Sequence, residues 1–113
     1  MDATNATWTR ELIVDADHPA FDGHFPGQPV LPGVALLAEV IESALDEPVL
    51  ARGLGTAPRL VVCKFFVPVA PGASLTITWR ATSKTLDWRV ADGTREVASG
   101  QFARIDAPAA AAT

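Results

Sequence analysis

HPAFDGHFPGQPVLPGVALLAEVIE, running from His18 to Glu42, joins a stiff loop to an apolar helix. Residues 22–33 hold three glycines and three prolines, so half of the residues there have backbone angles either fixed by a ring or freed from the limits a Cβ imposes. Such a loop is expected to hold one shape. After Pro32-Gly33 the pattern turns to VALLAEVIESAL, which predicts a mostly buried helix over residues 33–45. Its polar positions Glu39, Glu42, Ser43 and Asp46 recur at spacings of three and four and fall on one stripe. Val34, Ala35, Leu37, Ala38, Ile41 and Leu45 are expected to cover the rest. His24 lies in the loop that leads into this helix.

Outward from this stretch the chain reads as strands. Upstream, Trp8, Arg10, Leu12 and Val14 alternate with Thr9, Glu11 and Ile13, which predicts a first strand. Downstream, Asp46, Glu47 and Pro48 are expected to close the helix, and residues 51–58, with Gly53 and Gly55, to form an irregular, mobile connection. Then come LVVCKFFV, SLTITWRAT, TLDWRVA and REVASGQFARI. Leu75, Ile77, Trp79 and Ala81 share one face, as do Leu86, Trp88 and Val90, the alternation of half-buried strands. The last three runs predict an antiparallel meander, with Asp92-Gly93 as a hairpin signal. One strand, one long helix and four strands make an α+β protein whose antiparallel sheet wraps a central helix. The whole chain, 1–113, is expected to be one domain with frayed ends at 1–6 and 107–113.

Composition narrows the function. Hydrophobic residues make up 49% and charged residues 19%, and mean hydropathy is +0.22, apolar for a chain this small and expected of one that buries a subunit interface. A net charge of −4 argues against nucleic acid, whose phosphates are met by clustered Lys and Arg. No long apolar run predicts membrane insertion. The single cysteine, Cys63, cannot form an internal disulfide, and the cytosol is the expected compartment. Asp15, Asp17, His18, Asp22 and His24 match no common ligand spacing, so neither a metal nor any other cofactor is expected.

GHFPGQPVLPGV, followed downstream by KFFVPVAPGASL, resembles the hot-dog-fold 3-hydroxyacyl-[acyl carrier protein] dehydratases of fatty-acid synthesis. The motifs match in order and spacing from Pro19 to Leu75, and the meander agrees in pattern. The short chain and the LLAEV run also resemble the compact dehydratase-like subunits encoded with aryl-polyene and related polyketide-type pathways.

The resemblance implies that His24 works with a carboxylate on the central helix of a partner subunit, on a thioester carried by acyl carrier protein or coenzyme A. Phe25, Pro32, Gly33 and Val34 would lie against that substrate. Dehydration takes a proton from C2, beside the thioester, and gives one to the hydroxyl leaving C3. An imidazole, with an ordinary pKa of about 6.5, suits the first task and a carboxyl group the second. The thioester oxygen gathers charge, and the Gly33 or Val34 N–H at the helix start would meet it. One position departs from the family. Its helical acid falls at Ala38, and the carboxylate in this chain is the next residue, Glu39. Three readings therefore stay open: a dehydratase using His24 and a displaced Glu39, a hot-dog thioesterase, and a non-catalytic acyl-binding subunit of a heterodimer with an active homologue. The resemblance and the apolar composition together imply a homodimer or higher homo-oligomer, unless the partner is such a homologue.

Overall fold

Helix α1 (Gly33–Ala44) starts directly after Pro32, whose φ of −58° and ψ of 147° are extended, and whose carbonyl accepts from the Ala35 and Leu36 amides at 3.0 and 3.1 Å. The fold is seen in a computed structural model that describes residues 6–18 and 31–106. His24, Phe25 and most of the loop expected to be rigid lie outside these residues, as do 1–5 and 107–113. Ala6, expected to fray, accepts from the Ala81 amide at 3.0 Å.

Five strands follow the predicted order: β1 (Thr7–Ile13), β2 (Arg59–Phe65), β3 (Ser74–Ala81), β4 (Thr85–Asp92) and β5 (Arg95–Ala103). They form one antiparallel sheet in the order β1-β3-β4-β5-β2. The meander is the predicted one. Asp92 pairs with Arg95, so Gly93 and Thr94 make the turn, and Gly93 has the positive φ (62°) that its lack of a Cβ permits. Across the inner face run Trp8, Trp79, Trp88, Gly100 and Cys63, each paired with the next. Gly100 is a glycine for a steric reason: a Cβ there would come within 2.7 Å of the Val62 carbonyl oxygen and closer still to the Trp88 ring.

The helix buries a different line from the expected one. Leu36, Val40 and Ala44, spaced by four, are its fully buried residues, whereas Val34 and Leu45 are 77% and 56% exposed. Apolar residues surround so much of α1 that sequence left the buried face open, and the position of β3 selects it. Ser43, expected on the polar stripe, turns inward and accepts from Trp79 Nε1 at 3.0 Å, tying α1 to β3. Trp79 also stacks on Phe102, with ring centroids 6.1 Å apart, so it is core as predicted.

The irregular connection expected after Pro48 is instead a second helix, α2 (Pro48–Leu54). Pro48 closes one helix and opens the next, because at a first helical turn its missing N–H costs nothing. The Glu47 carboxylate caps the Val49 amide at 3.4 Å, and Leu50, Gly53 and Leu54 are buried. Gly53 lets α2 press on β4, since a Cβ there would lie 2.9 Å from a methyl of Leu86.

Candidate functional site

The two motif segments meet. Leu31, Pro32, Gly33 and Leu36 form one wall of an apolar groove of about 360 Å³, and Phe65, Phe66, Val67, Pro68 and Val69 form the other. A 2.7 Å hydrogen bond from the Leu31 amide to the Val69 carbonyl fastens the walls together. The first amides of α1, at Gly33 and Val34, stand ahead of the intrahelical ladder at the positive end of its dipole, and no acidic side chain occupies the first turn. Gly33 leaves room for the Phe65 ring, which a Cβ would approach to 2.9 Å. This groove can take an apolar chain and meet an oxyanion at its end.

Glu39 lies elsewhere. A helix turns about 100° per residue, so Ala38 and Glu39 cannot face the same way. Ala38 is exposed on the same uncovered flank as Val34 and Leu45. Glu39 turns toward β1, where its Oε1 lies 3.2 Å from His18 Nε2. The two side chains are 29% and 25% exposed and line a cleft of about 160 Å³ with Leu12, Ile13, Val14, Asp15 and Leu31. Asp15 shapes the turn that carries His18: its carbonyl accepts from the His18 amide at 3.0 Å and its Oδ1 from the Asp17 amide at 2.8 Å. On the other side of Glu39 a polar cleft of about 180 Å³ is lined by Arg10, Glu11, Glu42, Ser43 and Asp46, among others.

Of the predicted site residues, Pro32 and Gly33 lie on the groove, Val34 points into solvent, and Glu39 opens on the second cleft; Leu31 belongs to both. Sequence reasoning missed two features. Phe65 ends the expected strand and, with Phe66, is also groove wall, for which the doubled aromatic before VPVAPG was the available signal. The pairing of His18 with Glu39 had no local signal, since the partners are 21 residues apart. Burial pushes the Cys63 thiol up from its ordinary value, the wrong direction for a nucleophile.

Residues 1–101 match the family described as ApeI-like, ApeI dehydratase. The chain belongs to the ApeI-like dehydratase family. Among curated relatives, the 3-hydroxyacyl-[acyl-carrier-protein] dehydratase FabZ of Allorhizobium ampelinum is 42% identical over 65 residues, covering 52% of this chain and 41% of its own. That of Rhodopseudomonas palustris is 35% identical over 83 residues, covering 66% and 55%. This ApeI-like chain thus spans about half the length of the curated relatives it matches. In the dehydratase heterocomplex ApeI:P from Xenorhabdus doucetiae, a chain 24% identical superposes with a TM-score of 0.70, covering 91% and 90%. An uncharacterized protein from Erwinia carotovora gives 0.61 at 36% identity, covering 89% and 86%. A mutant of the fluoroacetyl-CoA-specific thioesterase FlK, in complex with fluoroacetate and CoA, gives 0.65 at 22%, covering 92% and 93%. The fold is a hot-dog fold, α+β as expected.

Proposed function

We propose that this ApeI-like chain dehydrates 3-hydroxyacyl thioesters presented by acyl carrier protein, in fatty-acid or polyketide-type lipid synthesis in the cytosol, with His24 as base and Glu39 as acid. The observation that carries the reading is the apolar groove that ends on the α1 N-terminus between the two motif segments. An acyl chain along Leu36, Phe65 and Val69 would bring its thioester oxygen toward the Gly33 and Val34 amides. His24 takes the C2 proton, the C2–H electrons form the C2–C3 double bond, and the C3–O bond breaks. The departing hydroxyl leaves as water with a proton from Glu39, whose cleft adjoins the groove at Leu31. Phe25, beside His24 in the motif, would lie against the substrate.

The exposed α1 flank at Val34, Ala38 and Leu45 and the apolar β2 edge support a homodimer, with a homologous partner as the alternative. Arg59 and Lys64, exposed on β2, could meet an acidic carrier, mainly speeding encounter. No helix among the described residues is long and apolar enough to cross a membrane.

Incubation with 3-hydroxyacyl-[acyl carrier protein], followed by mass spectrometry of the acyl product, tests the reading. Enoyl thioester is the expected product, lost in His24→Ala without loss of fold. Free acid in its place would make the protein a thioesterase, and unchanged thioester a non-catalytic subunit.

A further inference from the structure

We infer that His18 is a positioning residue whose imidazole holds the Glu39 carboxyl in place and so makes good the shift of the helical acid from position 38 to position 39. The inference rests on the dehydratase reading and deepens it. A glutamate has three side-chain torsions, and an acid that wanders loses most of the advantage of proximity, since small misplacements slow a reaction severely. Here the wandering is restrained. Among the described residues the hydrogen bond that Glu39 makes is the one to His18, at 3.2 Å. The Asp15 turn fixes the His18 backbone, and Leu12, Val14 and Leu31 line the same cleft as its ring.

The chemistry of the pair suits a group that gains and loses a proton. A protonated carboxyl donates to Nε2, and an ionised one accepts from Nε2–H. Glu39 therefore keeps its place in both states by a change of tautomer or protonation in its neighbour. The remaining charged groups around it, Arg10 and Glu11 from β1, Glu42 and Asp46 from α1 and Asp15 from the turn, line the two clefts with no bond to it. His18 does not touch substrate in this scheme and acts only through Glu39.

The test is a double-mutant cycle in the full chain, with kcat and KM measured on 3-hydroxyacyl-[acyl carrier protein]. His18→Ala should lower kcat by about 10- to 100-fold, below the full effect of losing the acid, and leave KM within about twofold. His18→Gln, which keeps a polar atom near the Nε2 position, should recover most of the loss. In a Glu39→Gln background His18→Ala should cost nothing further, because the group it positions is gone. Equal losses in both backgrounds, or an unchanged kcat in His18→Ala, overturn the role of His18 while leaving His24 chemistry intact. A wild type that yields no enoyl product defeats the dehydratase reading itself, and the role of His18 with it. The imidazole ¹⁵N spectrum checks the contact apart from activity: the His18 Nε2 resonance should move in Glu39→Gln, and an unmoved resonance overturns the pairing.

Discussion

At the scale of single residues, the difference between Ala38 and Glu39 is one of direction. A shift of one helical position moves the carboxyl from the exposed flank, where a partner subunit would meet it, to the cleft under β1. Glu39→Gln keeps the shape and removes the acid, so turnover should fall by about 10² to 10⁴ as followed by enoyl thioester formation. Should Ala38→Glu instead raise a feeble wild-type rate, the family position would be the one that matters. A second carboxylate permits a prediction in pH. Arg104 donates from Nε and Nη2 to Asp106 at 2.9 and 3.1 Å, and these hydrogen bonds, more than the guanidinium charge, hold the Asp106 carboxyl below its usual range against the opposing effect of partial burial. A depressed folded-state value means stability that is complete above the unfolded value of about 3.9 and lost as pH falls through the folded one. Asp106→Asn should therefore lower the urea midpoint at pH 6, and the gap from wild type should close as pH drops below about 4.

At the scale of elements, sequence was most informative where periodicity is strict. In β3 and β4 every second residue is apolar, and Leu75, Ile77, Trp79, Leu86, Trp88 and Val90 are all buried as predicted. Helix α1 was legible as a helix but not in its orientation, since Val34, Leu36, Leu37 and Val40 offer apolar surface on several sides and only the sheet distinguishes them. Helix α2 was not legible at all. Seven residues with a proline and a glycine carry too little periodicity, and its burial comes from β4 and β5, remote in sequence. The groove was half legible: the two motifs marked the segments that form it, while their meeting at Phe65 and Phe66 became visible only when β2 was placed. Gly100 shows an element-level constraint that no pattern announces. Gly100→Ala would push a methyl into the buried Trp88 ring and the Val62 carbonyl, neither of which can swing away, so it should destabilise by about 1–3 kcal/mol in denaturant unfolding. A loss under about 0.5 kcal/mol would mean that β5 shifts away from Trp88 at little cost.

At the scale of the whole molecule, the two sheet edges differ in a way that points to assembly. β1 exposes Thr7, Thr9 and Glu11 along its outer side, polar residues of the kind that discourage pairing with another chain, and one apolar residue at its end, Ile13. β2 does the opposite. Val61 is 58% and Phe65 49% exposed, Leu60 and Val62 are open beside them, and the exposed Val34 follows Gly33, which packs against the Phe65 ring. An open edge with apolar residues on both faces is a pairing site. A second copy, brought on by a two-fold axis, would offer the same edge and helix flank to this one, which is the self-complementarity a closed dimer requires. Light scattering at micromolar concentration should therefore give twice the chain mass of 11.9 kDa. Val61→Lys should produce the monomer, because a charge would have to be buried at the pairing edge. The Leu31, Gly33 and Phe65 groove lies beside this surface, so the monomer should also lose enoyl formation even though His24, His18 and Glu39 are untouched. A wild type that is monomeric alone but reaches dimer mass with a homologous chain would make the assembly a heterodimer, whereas a stable and active monomer would place the whole site within one chain.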